Sequence, residues 1–511
     1  MRTKRALLNS AVSLASKALL MLGGFLLQRV MTRVLGQQNI GLGSVCANVV
    51  SILSLAELGF ASAIVYNLYA PLARHDETAV RALMTLFAKA YRVVACVVAV
   101  LGLALMPLVP SFLKDGNFDG GYVRLIYGLY LLKTVCGYFF AYQRSLLMAD
   151  QKAYQIALVD LATQLASIAL GIAVLALTGS FAAYLALTVA ATVLSNLAIA
   201  LLARRQYPGL RRQASEPALE KQVQKTVFSN VKNVFLMRLS GVVLSSTDAL
   251  IISSFVGVMA AGTYANYALL TTSVLGLIGA VTNALQATLG HMVATETGEH
   301  MDGVLKSDTF LYYLIGTGVG LCLMCASNVF VGDIWLSRSY LLPPDVVCLL
   351  MGNVFLLTLR SPLWSLLTVS GLFAKDRNIS LLGALSNLII SLALVGCMGI
   401  AGVVVGTLVS QGLQVVLKTR LLYRDGLRVS AKGFSLQLCS YFLLFAAQSA
   451  LCLWLCSLVE MDSSWLLLLL KVLICLGVET VVNLPMCLRS KRAAALKFSL
   501  RQALGWKETT T

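Results

Sequence analysis

VLGQQNIGLGSV, residues 34–45, interrupts a long apolar run near the N-terminus. A glycine-rich stretch of this kind either cradles a phosphate or turns the chain between two membrane helices. A phosphate loop needs a preceding strand, further glycines at fixed spacing and a lysine where the helix begins. This stretch has no such strand or lysine, and both flanks are apolar runs of about 20 residues, long enough to span a bilayer. It is therefore read as a turn between two spans. Gly36 ends the first helix, and Gly41 and Gly43 allow close approach at the start of the next.

Working outward, the rest of the chain agrees. It has 511 residues, 58% hydrophobic and only 12% charged, with a mean hydropathy of +0.82. Soluble domains carry roughly 45–50% apolar and about 25% charged residues. Apolar runs of about 20 residues recur from end to end, each able to cross roughly 30 Å of hydrocarbon. A membrane barrel would instead show alternating segments of about 10 residues. The fold class is all-α, a polytopic integral membrane protein. About 14 spans are expected, at 7–27, 40–66, 85–109, 121–143, 154–177, 181–202, 231–255, 261–289, 307–330, 346–370, 379–398, 400–418, 435–458 and 464–487. The first has a basic start but no small-residue cleavage motif, so it is read as a retained span.

The formal charge of +18 is informative once it is placed. With the N-terminus inside, 29 Lys and Arg fall in inside segments and 5 in outside loops. By the positive-inside rule both termini are then cytoplasmic. The basic balance is thus a matter of topology, and no nucleic-acid partner is expected. The loops are too short for an extramembrane catalytic domain, so no enzyme activity is expected. The longest inside connection, residues 204–230, is basic and can lie on the membrane surface.

The 12 cysteines mostly fall inside apolar runs and suggest no disulfide framework. Cys322 and Cys325 have C-x-x-C spacing, but the sequence offers no second ligand pair or histidine beside them. They are read as buried thiols acting as small hydrophobes, with no metal. The three histidines fall in loops and form no constellation.

FVGVMAAGTYAN, residues 255–266, repeats the opening glycine spacing. One shift of the sequence along itself carries Gly36 onto Gly257, Gly41 onto Gly262, Asn9 onto Asn230 and Lys17 onto Arg238. The same shift superposes span 1 on span 7. An even offset of six spans preserves direction, so two parallel six-helix lobes are expected, residues 1–203 and 231–422. Segment 204–230 would link them, and 423–511 would add two helices and a basic tail. Such halves commonly rock about a site between them.

Charged groups at membrane depth are costly and usually face a cavity or a partner. Six bases (Lys17, Arg92, Lys133, Arg238, Arg360, Lys471) and four acids (Glu57, Asp160, Asp248, Glu479) lie more than five residues inside the expected spans. Arg92, Asp160 and Glu57 lie within a few turns of span ends, where a long side chain can snorkel to the interface. Lys17 and Arg238 are repeat-equivalent, and together would hold an anion. Arg360 precedes Pro362, which frees a backbone carbonyl and bends a helix. Lys133 and Arg144 are 11 residues apart, about 20° around one continuous helix, and would form a cationic track. Asp248 could take a coupling cation or proton, or neutralise a base; Lys471 and Glu479 are given only helix pairing.

Several stretches resemble bacterial polysaccharide flippases of the multidrug/oligosaccharidyl-lipid/polysaccharide exporter superfamily: residues 35–76, RSLLMADQKAYQ (144–155), LLARRQYPGL (201–210), STDALIISSFVGVMAAGTYANY (246–267) and 371–410. The resemblance implies a two-lobed, alternating-access protein of the plasma membrane. The O-antigen and capsule type moves an undecaprenyl-diphosphate-linked oligosaccharide to the outer leaflet. It implies headgroup binding by Lys17, Arg238 and Arg360, with Lys133, Arg144 and Arg92 as further bases. Asp248, Glu57 and Asp160 are the candidates for coupling to H⁺ or Na⁺. No other cofactor is expected; the partners are the lipid-linked oligosaccharide, membrane lipids and other polysaccharide-assembly proteins. Ile278 stands where the second lobe would need an equivalent of Glu57. A murein-precursor flippase, a cation-coupled multidrug exporter and a membrane polymerase or ligase are the alternatives.

Overall fold

The computed structural model describes residues 2–54, 60–208 and 246–489. Among these residues the secondary structure is helical throughout, with no strand. Ten helices are long and apolar enough to cross a membrane, or eleven if one bent pair counts as a single span. Where described, each of the fourteen expected spans falls on helix. The difference in count arises at the expected spans 40–66, 231–255 and 261–289. Residues 55–59 and 231–245 lie outside the described residues, and Gly36 joins the first two spans into one long element.

The chain clusters into two compact units, residues 1–266 and 267–511. The first holds α1 (Arg2–Leu53), α2 (Phe60–Ala73), α3 (Glu77–Leu105), α4 (Gly120–Tyr138), α5 (Ala141–Ala149), α6 (Ala153–Thr178) and α7 (Phe181–Gln206). It also holds α8 (Ser246–Val256) and the start of α9 (Val258–Thr295). Its core lies under α1, α3 and α4 and includes Leu42, Val45, Phe87, Val98, Ile126 and Tyr127. Asp76 caps α3 by accepting from the Ala79 N–H at 2.9 Å, and Asp119 caps α4 by accepting from Tyr122 N–H at 3.1 Å. Such caps satisfy N–H groups that the first helical turn leaves orphaned.

The glycine corners explain why α8 and the start of α9 belong to this unit. Gly36 (φ 76°, ψ 170°) and Gly257 (φ 138°, ψ 158°) both occupy a backbone region essentially closed to other residues. The corners pack on each other reciprocally. A methyl on Gly41 would lie inside 3.0 Å of the Val258 carbonyl oxygen, and one on Gly262 inside 3.0 Å of that of Gln37. Gln37 and Val258 are themselves related by the shift that superposes the glycines. The Gln28 amide donates to Asn266 Oδ1 at 2.8 Å beside this contact. The loop after α3 locks the second corner: Lys114 Nζ donates to the Phe255 carbonyl at 2.8 Å, and the Val258 N–H donates to the Lys114 carbonyl at 3.1 Å.

The second unit holds the rest of α9 with α10 (Gly298–Val329), α11 (Pro344–Leu359), α12 (Ser361–Val369), α13 (Phe373–Met398), α14 (Ile400–Leu421), α15 (Lys432–Ser457) and α16 (Ser464–Arg489). α10 packs against α11, α15 and α16, and α13 pairs with α14 across the single residue Gly399. Stacked rings bind α10, α11 and α15: Tyr313 on Tyr441 at 4.1 Å and Phe355 on Phe445 at 3.8 Å. Gln448 donates to the Tyr313 hydroxyl at 3.0 Å, which donates to Asn483 at 2.9 Å, tying α15 and α16 to α10. Buried amide and hydroxyl bonds of this kind hold helices together where lipid gives no hydrophobic drive.

Helix boundaries also recur at a regular offset. Nearly the same shift carries both ends of α5 onto those of α12, and both ends of α6 onto those of α13. The break before α5 at Phe140 therefore corresponds to the junction before α12 at Arg360.

Candidate functional site

In the first unit α4 and α5 do not form one helix. Phe140 is left-handed (φ 66°), and the pair bends by 43°. The expected common face of Lys133 and Arg144 requires an unbroken helix, so that expectation is corrected. Both nevertheless line one cavity of about 420 Å³, closed by α1, α6 and α7. Its wall is hydroxyl- and amide-rich: Thr163, Gln164, Ser167, Thr188, Thr192 and Asn196.

Arg144 is not a free anion binder there. Its guanidinium clasps Asp160 through two hydrogen bonds, of 2.7 and 2.8 Å, and also donates to Ser195 at 2.9 Å and Asn196 at 3.1 Å. Asp160, expected as an ion-coupling candidate, is the other half of this bidentate pair. A neutral pair of this geometry shapes the wall rather than charging it. Lys133 is the base in the cavity with no hydrogen bond or ion pair among the described residues.

A second cavity, of about 400 Å³, opens on the other side of α5. Arg81 and Arg92 from α3 and Arg204 from α7 converge on it, with Tyr142, Gln143 and Tyr207. No carboxylate is among its described lining residues. Arg92 is exposed and donates to the Ala88 carbonyl at 3.3 Å; Arg204 lies 5.9 Å over the Phe140 ring. Arg92 was legible as an intramembrane base. Arg81 and Arg204 were read as loop charges, and only the packing of α3, α5 and α7 brings the three together.

In the second unit Arg360 stands at the α11–α12 junction. It hydrogen-bonds Gln411 and lies 4.2 Å over the Trp364 ring. Pro362 sits in the first turn of α12, where a missing N–H costs nothing, and the helical bond from Trp364 N–H to the Arg360 carbonyl is kept at 3.1 Å. The expected bend at this proline is therefore mild, since α11 and α12 together count as one span. Lys418 was missed from sequence because the expected span ended on it. It is 2% exposed, pairs with Asp376 at 2.8 Å, donates to Ser380 at 2.9 Å and also lies 4.2 Å over the Trp364 ring.

Lys17 is exposed on α1. Arg238 and Glu57 lie outside the described residues, so the Lys17–Arg238 anion pair is not described by the structure. Asp248 is buried on α8, and the Tyr264 hydroxyl donates to it at 3.3 Å.

The first unit thus has two cavities between bent apolar helices, one of them lined by three arginines. Three solved structures share the fold. The lipid II flippase MurJ in an inward closed conformation aligns with a TM-score of 0.64 at 14% identity, over 94% of this chain and 99% of its own. An inward-facing multidrug resistance MATE family transporter of the MOP superfamily aligns at 0.60 and 12%, over 80% and 96%. The eukaryotic MATE transporter AtDTX14 aligns at 0.52 and 14%, over 82% and 95%. No curated protein matches the chain by sequence. The shared fold is thus that of a polytopic helical membrane protein. Residues 6–286 match the polysaccharide biosynthesis protein family, and the chain belongs to that family.

Proposed function

We propose that the chain is a flippase carrying an undecaprenyl-diphosphate-linked oligosaccharide, a polysaccharide repeat unit, from the inner to the outer leaflet of the bacterial plasma membrane. The observation that carries this reading is the cavity into which Arg81, Arg92 and Arg204 converge. Guanidinium groups bind phosphate oxygens bidentately, and two linked phosphates use several at once. Tyr142, Tyr207 and Gln143 supply the amphipathic and amide surface that sugars favour. The neighbouring hydroxyl-lined cavity with Lys133 extends the polar surface along α4 to α7. The lipid tail stays in the bilayer while the headgroup crosses, so the protein needs two conformations and no covalent chemistry.

Membership of a polysaccharide biosynthesis family supports a glycan-bearing lipid. The excess of bases on one side supports cytoplasmic termini. With Asp160 engaged by Arg144, Asp248 and Glu57 are the candidates to couple H⁺ or Na⁺. A murein precursor is the second reading, supported by the 94% coverage in the alignment to the lipid II flippase. Proteoliposomes loaded with either labelled lipid distinguish the two. Translocation of the oligosaccharide headgroup at unchanged glycan length is expected, with at least a tenfold loss in Arg81→Glu/Arg204→Glu. A lengthened glycan, or full activity in that variant, overturns the reading.

A further inference from the structure

The second unit gathers five thiols that lie far apart in sequence. α10 supplies Cys322 and Cys325, α15 supplies Cys452 and Cys456, and α16 supplies Cys475. Spacings of three and four residues put each pair on one helical face. The Sγ atoms of Cys325, Cys456 and Cys475 all lie within 4.8 Å of one another. Cys475 is the hub: its thiol donates to the Leu321 carbonyl at 3.5 Å, and Cys322 and Cys452 lie within its electrostatic neighbourhood. Cys452 and Cys475 are fully buried, and all five cysteines are free. The expectation that Cys322 and Cys325 have no second ligand pair beside them is therefore corrected. The second pair sits on α15, far along the chain.

We propose that these five thiols form a binding site for one thiophilic closed-shell cation, zinc(II) or copper(I), which fastens the two C-terminal helices to α10. The donor set carries the argument. It consists of sulfur alone, which selects soft or borderline ions and rejects magnesium and calcium. Zinc held at about 2.3 Å from each of four sulfurs needs them about 3.8 Å apart, and three of these sulfurs already lie within 4.8 Å of one another. Dispersed buried cysteines would serve equally well as small hydrophobes; five on three helices converging on one hub would not be needed for that. Lys471, one turn before Cys475, lies within electrostatic reach of Cys325 and Cys456, and Glu479, one turn after it, within reach of Cys322 and Cys452. Zinc(II) with four thiolates carries two negative charges and its binding releases four protons; copper(I) with two thiolates carries one and releases two.

The test uses the full chain, purified reduced and metal-free in detergent. It is incubated with zinc(II) or with copper(I), each buffered by a weak chelator, desalted and assayed for metal per chain. One ion per chain is expected in the wild type and in Cys397→Ser, whose thiol is exposed and remote in the sequence. At least a tenfold loss is expected in Cys475→Ala. The arm that loads identifies the cation. A second measurement needs no variant: cobalt(II), an optical stand-in for zinc, should give a thiolate-to-metal charge-transfer band in the zinc-loading case. Retention of neither ion by the wild type overturns the proposal, as does equal retention by Cys475→Ala, or zinc loading without the cobalt band. None of these outcomes bears on lipid translocation, so the site stands or falls apart from the flippase reading.

Discussion

At the scale of single residues, charges in the first unit are disposed by their partners rather than by their depth. Arg144 looks from sequence like a cation free for substrate, because its partners come from α6 and α7, 16 to 52 positions on. No local pattern announces such a pairing. Lys418 was hidden differently, by a span boundary drawn through it. Lys133 was legible, since an unaccompanied lysine in an apolar run has few structural uses. Replacing Arg144 by Met leaves Asp160 without its partner and should cost about 1–3 kcal/mol. A lowered melting temperature in detergent checks this, and Arg144→Met/Asp160→Leu should recover part of the loss. Beyond the spans, burial raises the Asp150 pKa, but hydrogen bonds from Lys152 and Tyr207 and the charges of Lys152 and His75 outweigh it and hold it below its ordinary value. A depressed carboxylate stabilises the fold above its unfolded pKa, about 3.9, and that contribution is lost as pH falls through the lower folded value. Asp150→Asn should therefore flatten the acid limb of the melting profile below about pH 4 and leave the neutral limb's slope unchanged.

At the scale of elements, the corners and spans were the most legible features, because both rest on strong local physics. A run of about 20 apolar residues has few fates other than a span, and a glycine between two such runs marks a turn. The geometry at Gly36 and Gly257 explains why no other residue serves there. Gly36→Ala and Gly257→Ala should each cost about 1–3 kcal/mol through backbone strain. Gly276→Ala, in regular helix with nothing within 4 Å of the added methyl, should change stability little. Equal melting temperatures for all three would contradict the corner assignment. The α4–α5 break was not legible, because FFAYQR carries neither proline nor glycine at Phe140. The left-handed residue there is held by tertiary packing, which a local reading does not see.

At the scale of the whole molecule, one offset along the chain, nearly constant from place to place, relates corners, helix boundaries and the α5 and α12 junctions. The cysteine hub was illegible for the complementary reason: it joins α15 and α16, which lie outside the repeat, to a helix inside it. Charge reversal at both Lys17 and Arg238 should abolish headgroup translocation in proteoliposomes while the protein still inserts and purifies as a single species. Full translocation in that double variant would remove these two bases from the transport path.

The reciprocal contact of Gly41 on Val258 and Gly262 on Gln37 has a further consequence. It is self-complementary: the same surface is used twice, each copy donating what the other accepts, as at the two-fold axis of a homodimer. A polypeptide of one repeat could therefore make this contact with a second copy of itself. Gene duplication and fusion would then turn an intermolecular symmetry into an intramolecular one. A side chain added at either glycine would meet the backbone of the other corner, so that symmetry is fixed where the two corners touch.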